Sequence, residues 1–153
     1  VPLERASDGD TPVLPFRVAA GSTAANTTGS SAGGAPVRLL LDTGASASMV
    51  TPALAQRLAL KPTTPPTNTM ALAGGGLNCG GLKPALVGLP PLELAGTPTT
   101  ETGQAAAGPL RLEGLQALLL PVGALPAGID GVLGIPTLKQ LPIRIDPLRN
   151  LLQ

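Results

Sequence analysis

The apolar positions of this chain come in short bursts between turn-forming residues, and the spacing within the bursts changes along the sequence. Residues 13–19 and 37–41 are two mainly apolar runs of strand length. Between them, "AAGSTAANTTGSSAGGAP" is small, polar and uncharged. Having nothing to bury, it predicts a β-hairpin with a long loop over about residues 20–36. The period then changes. In "TPALAQRLAL", residues 51–60, Leu54, Leu58 and Leu60 fall mostly on one side, Thr51 suits an N-cap and Pro52 the first helical position. A helix of about two turns is predicted there. Pro62, Pro65 and Pro66 then make "KPTTPPTNT" an extended loop.

Farther on, "TMALAGGGLNCGGL", residues 69–82, reads as two short arms around Gly74, Gly75 and Gly76, a hairpin whose tip is free to take positive φ. "ALVGL" and "LELAG" predict two more strands, and "GTPTTETGQAAAGP" a second bland loop over about residues 96–109. "LRLEGLQALLLPV" predicts one strand with an alternating part and a fully apolar part. In "IDGVLGIPTLKQL", a turn at Val132, Leu133 and Gly134 leads into a short Pro-initiated helix, and a terminal strand follows around residues 143–146.

Composition supports a mainly β chain and removes several chemistries. With 153 residues the sequence suits one domain over residues 1–153, and 18 prolines and 20 glycines punctuate it too often for long helices. A net charge of +1, with one phenylalanine and no tyrosine or tryptophan, offers neither a basic footprint nor a stacking platform, so nucleic acid is not an expected partner. The absence of histidine excludes serine–histidine and cysteine–histidine catalysis and most zinc sites. A single cysteine, Cys79, cannot form an internal disulfide. No apolar stretch approaches the roughly 20 residues of a membrane span. Because the chain starts at Val1, a removed signal or anchor, with a periplasmic or membrane-anchored location for the soluble domain, is one expectation. The bias to Ala, Gly, Pro and Leu suits a GC-rich bacterial genome.

The chemistry enters at "VRLLLDTGASASMV", residues 37–50, where a hydrophobic run stops at one carboxylate, Asp42, followed by Thr43, Gly44 and Ala45. Asp, Thr and Gly all favour turns, and this tripeptide would arise somewhere in roughly 6 of 100 shuffled sequences of the same composition. Its context says more. "LLLDTGASASMV" followed by "ALAQRLAL", then the glycine-rich hairpin, then "IDGVLGIPTLKQLPIRID", resembles in order and kind the retropepsin-like, single-domain aspartic proteases.

That resemblance implies a retropepsin-like closed, Greek-key β-barrel with a glycine-rich flap hairpin and one or two short helices. It implies an aspartic endopeptidase acting on peptides or proteins with no cofactor and no metal. Two-lobed relatives carry two Asp-Thr-Gly motifs; this chain has one, since Asp10, Asp130 and Asp146 stand in other contexts. The second carboxylate is then Asp42 of another copy in a homodimer, a weak dimer being one expectation. Asp42 would be catalytic, with Thr43, Gly44 and Ala45 supporting the loop: Thr43 bonding across the dimer axis, Gly44 lending its N–H, Ala45 lining the floor. Gly74, Gly75 and Gly76 would form the flap over substrate, and Val132, Leu133 and Gly134 the second structural motif. Ser46 and Ser48 read as hydroxyls satisfied locally, Asp130 as a turn acid and Asp146 as a strand-end acid. The terminal segments "VPLER" and "IRIDPLRNLLQ" are the candidate intersubunit strands. The chain lacks both the flap tyrosine of two-lobed relatives and the arginine motif that viral members carry after the second glycine. A wholly aliphatic cleft suits apolar side chains flanking the cut. The alternative is a catalytically silent protease-like dimerisation or binding module.

Overall fold

The structure is a computed structural model that describes residues 3–7, 9, 11–19, 35–64, 85–95, 110–119, 125–140, 145–146 and 151–152. The glycine-rich hairpin with Gly74, Gly75, Gly76 and Cys79, and the bodies of the two bland loops, lie outside those residues. The strands are β1 (Glu4–Arg5), β2 (Pro12–Val18), β3 (Val37–Leu41), β4 (Met49–Val50), β5 (Leu86–Gly88), β6 (Leu92–Leu94), β7 (Arg111–Leu112), β8 (Gln116–Leu119), β9 (Gly131–Leu133), β10 (Ile145–Asp146) and β11 (Leu151–Leu152). The helices are α1 (Pro52–Arg57) and α2 (Ile135–Leu138).

The first nine strands form one mixed sheet in the order β5-β8-β4-β9-β3-β2-β6-β7, with β1 also on β2. The predicted hairpin is present: β2 and β3 pair antiparallel from Val13 opposite Leu40 to Phe16 opposite Val37. The unbroken apolar stretch Leu39–Leu41 of β3 has a physical cause in its position. One edge meets β2 and the other meets β9 in parallel, with Leu39, Leu40 and Leu41 opposite Gly131, Val132 and Leu133. Val37, Leu39 and Leu41 enter the larger apolar cluster with Leu14, Phe16 and Leu133. Leu40 enters a smaller one with Ala6, Val13, Ala45, Ile129 and Val132. Strands buried on both faces cannot alternate polar with apolar, so they read as unbroken hydrophobic runs.

Several expectations need correction. The sheet is not closed: among the described strands its order runs from β5 to β7 without a pairing between the two. "LRLEGLQALLLPV" holds two strands, because Gly114 takes φ +63° and the chain changes partner there. β7 pairs with β6, whereas β8 pairs with β4 and β5. Val132 and Leu133 lie in β9, not in a turn; only Gly134 leaves the strand, at the N-cap of α2. Apart from these corrections, each terminal segment holds a strand that is paired within the chain. β1 lies on β2, with Glu4 opposite Val13, and β10 pairs antiparallel with β11, with Ile145 opposite Leu152.

Helix α1 forms as its sequence specifies. The Thr51 side chain accepts a hydrogen bond from the Leu54 N–H at 3.2 Å, Pro52 opens the helix, and Leu54 and Ala55 are buried. It ends at Leu58, where the Ala59 N–H donates to the Gln56 carbonyl and the Leu60 N–H to the Ala55 carbonyl. This pattern is a Schellman motif, and it places Ala59 at φ +50°, a conformation usually given to glycine. An L-residue there costs about 1–2 kcal/mol, partly offset by the smaller unfolded-state entropy of alanine, about 0.4–1 kcal/mol. Ala59→Gly is therefore expected to stabilise the fold by about 0.5–1 kcal/mol, read as a higher urea midpoint at unchanged slope. A lower midpoint would contradict this account of the helix end.

Candidate active site

β3 carries its chain out of the sheet at Asp42, beside the residue where β9 leaves it. The Asp42 N–H donates to the Leu133 carbonyl at 3.2 Å, the last hydrogen bond of the parallel pair. The chain then turns, and the Ala45 N–H donates to the Asp42 carbonyl at 3.3 Å. Within this turn the Gly44 N–H donates to Asp42 Oδ1 at 2.8 Å. A backbone donor thus fixes one carboxylate oxygen, and no other described residue bonds to the second. A Cβ at Gly44 would stand 3.2 Å from Oδ1, tighter than side chains usually approach. Asp42, Thr43 and Gly44 are all exposed, an acid held by its own loop above two buried strands. Ala45 turns inward instead: its side chain belongs to the smaller apolar cluster, and its carbonyl accepts the Ile135 N–H at 2.9 Å.

Gly134 meets the same loop from the other side. A Cβ there would come within 2.6 Å of the Ala47 carbonyl carbon and oxygen and 2.8 Å of the Ala45 oxygen. The two backbones touch, and only a residue without a side chain fits. Ser48 closes the contact, and the expectation that its hydroxyl is satisfied locally is wrong. Its Oγ accepts the Gly134 N–H at 3.1 Å and lies 2.8 Å from Thr137 Oγ1, partners 86 and 89 residues away. No property of the "SAS" tripeptide points to them. Ser46, by contrast, is exposed.

Asp130 and Asp146 both have partners in the structure. Asp130 is more than a turn acid: its Oδ2 accepts the Arg38 backbone N–H at 2.9 Å and Arg57 Nη2 at 3.0 Å. Its backbone exchanges a further bond with Arg38 and accepts the Thr51 N–H, so it joins β3, the start of α1 and the entry to β9. Asp146 ends β10, paired opposite Leu151. Among the described residues, no cluster of three or more His, Cys, Asp or Glu side chains could hold a metal ion. None of the described helices is long and apolar enough to cross a membrane. A cleft of about 450 Å³ lies against the loop, lined by Ser46, Ala47, Leu86, Arg111, Gln116 and Gln140 among others.

Comparison with known proteins agrees with this geometry. The family model described as aspartyl protease matches residues 28–137, well over half of the chain. Among solved structures, the chain is similar to a retropepsin-like aspartic protease from Rickettsia conorii, with a TM-score of 0.50 and 18% identity, covering 96% of this chain and 83% of that one. It is also similar to the retroviral protease-like domain of Ddi1 from Leishmania major, with a TM-score of 0.45 and 17% identity, covering 92% and 85%. No curated protein sequence matches. The loop at Asp42, the glycine contact behind it and the family match converge: this chain belongs to the aspartyl protease family, and its fold is retropepsin-like.

Proposed function

We propose that the chain is an aspartic endopeptidase whose working unit is a homodimer, with one Asp42 from each copy forming the catalytic pair. The observation that carries this reading is the exposed Asp42 carboxylate, held by the Gly44 N–H where β3 ends, in a chain with only one Asp-Thr-Gly. One carboxylate in one protonation state cannot serve as acid and base at once. Two brought together can, because neighbouring carboxylates do not both ionise cheaply and so share a proton over a window of pH. The handling of one proton by two such acids is the established pattern of aspartic proteases.

In that pair, the ionised carboxylate takes a proton from a water molecule as its oxygen attacks the peptide carbonyl carbon. The protonated carboxyl donates to the carbonyl oxygen, giving a tetrahedral intermediate. A proton then passes to the amide nitrogen as the C–N bond breaks, releasing an acid and an amine. Gly44 contributes by orienting the carboxylate before substrate arrives, which lowers the cost of ordering in the reaction itself. Thr43 is exposed beside Asp42 and makes no hydrogen bond to another described residue, so its hydroxyl is available to bond across the axis. Gly74, Gly75 and Gly76 supply the flap that covers the peptide, and apolar residues flank the cut.

Asp42→Asn is expected to lower peptide cleavage by about 10²–10⁴-fold with the fold intact. Asp130→Asn keeps an acceptor for Arg38 and Arg57 and retains activity. Equal rates for wild type and Asp42→Asn would remove the assignment.

Rate against pH is expected to be bell-shaped with a mildly acid optimum. Below it both carboxylates are protonated and no base remains; above it both are ionised and no acid remains. A rate still climbing well above neutral pH would point to another mechanism.

Specific activity should rise with enzyme concentration, and excess Asp42→Asn chains should inhibit wild type by forming mixed dimers with one working carboxylate. Proportionality down to the lowest detectable concentration, without inhibition by the mutant, would exclude the shared site.

A further inference from the structure

We infer that Ser48 and Thr137 are positioning residues for Asp42, acting through Gly134 to hold the loop of residues 42–48 against the end of β9. Ser48 is 5% exposed and, among the described residues, the one buried polar or charged side chain. Such a group persists where its hydrogen bonds are satisfied, and both of its bonds run to the β9–α2 junction. The direction of the chain of bonds follows from the donor inventory. Ser48 Oγ already accepts from Gly134 N–H, so its own hydrogen is free for Thr137 Oγ1. The opposite arrangement would strand the Ser48 hydrogen in the interior. Thr137 is only half-buried and lies on the wall of the 450 Å³ cleft, where its hydroxyl can donate to solvent. The sequence of donors is therefore Gly134 N–H to Ser48 to Thr137 and outward.

The consequence for Asp42 comes from the neighbouring bonds. The loop is attached to the β9 junction at its start by Asp42 N–H to the Leu133 carbonyl, and in its middle by Ile135 N–H to the Ala45 carbonyl. Ser48 makes a third attachment through its side chain, just before the loop enters β4, whose Met49 and Val50 pair with Val132 and Gly131 of β9. A Cβ at Gly134 would come within 2.6 Å of the Ala47 carbonyl, so the two backbones are in contact there, and loss of the Ser48 side-chain bond loosens the loop against β9 between Asp42 and β4 and shifts the carboxylate with it. Neither hydroxyl touches the reacting atoms; their effect is on where the Asp42 oxygens stand.

The kinetic arm of the test rests on the endopeptidase reading, and the exchange arm does not. Ser48→Ala and Thr137→Val remove the bonds, whereas Thr137→Ser keeps the hydroxyl. Peptide cleavage is expected to lose about 10²-fold in kcat in Ser48→Ala, since displacement of about 1 Å suffices for that. KM should change less than about threefold, because ground-state contacts are untouched. Thr137→Val should fall in the same direction and Thr137→Ser stay within about twofold of wild type. By nuclear magnetic resonance, amide exchange at Gly134 and Asp42 should accelerate at least about tenfold in Ser48→Ala. The Ala19 and Ala95 amides, bonded to the Pro91 and Pro15 carbonyls elsewhere in the sheet, should stay unchanged. If Ser48→Ala does not fold, the Thr137 pair decides by the same readouts. If wild type cleaves no peptide, the endopeptidase reading fails and the exchange pattern alone decides. An unchanged kcat, or equal acceleration of all these amides, overturns the inference.

Discussion

The fold depends on the parallel contact between β3 and β9, strands distant in sequence that leave the sheet together. A parallel pair has no tight turn to hold it, so its closure must be stabilised by what the two strands bury. Here both strands are buried on both faces, and the pair feeds two apolar clusters at once. Where it ends, the chain has no further ladder, and Asp42 and Gly134 emerge side by side. Glycine at 134 admits the loop backbone, and Gly131 lies close enough to the Met49 carbonyl that a side chain would collide with it. The site is thus the open end of the most buried part of the sheet.

Polar groups extend that contact to its neighbours. Asp130 couples β3 to α1 through Arg38 and Arg57, while Ser48 and Thr137 couple the loop to α2. Each is a junction between segments far apart in sequence, and each lies just before or after a strand end, where backbone groups leave the ladder and need partners. The Asp42 carboxylate is different in kind. Among the described residues its hydrogen-bond partner is the N–H of its own turn, and it remains exposed.

What the sequence made legible followed local rules. β2 and β3 were readable as apolar runs of strand length, and α1 as a capped, Pro-initiated helix, because caps and periodicity are set by near neighbours. Asp42 was readable because an unbroken hydrophobic run ended on it. The break at Gly114 was missed because a glycine inside an apolar pattern looks the same whether or not it takes positive φ. Ala59 carried no signal at all, since alanine does not advertise a left-handed helix end. Ser48 and Asp130 were misjudged for one reason: their partners are brought in by β9, and no local pattern names them. The terminal segments were apolar enough to pair, and each holds a strand paired within the chain, β1 on β2 and β10 with β11.

Gly134→Ala, followed by equilibrium urea unfolding, tests the β3–β9 contact most directly. Gly134 has φ −87° and ψ 171°, a conformation open to alanine, so backbone strain does not enter. Without a collision, the substitution would stabilise the fold by about 0.4–1 kcal/mol by restricting the unfolded chain. With the Ala47 and Ala45 backbones where the structure places them, overpacking should instead destabilise it by about 1–3 kcal/mol, with a lower urea midpoint. A midpoint equal to or above that of wild type would contradict the close approach on which the account of Asp42 rests.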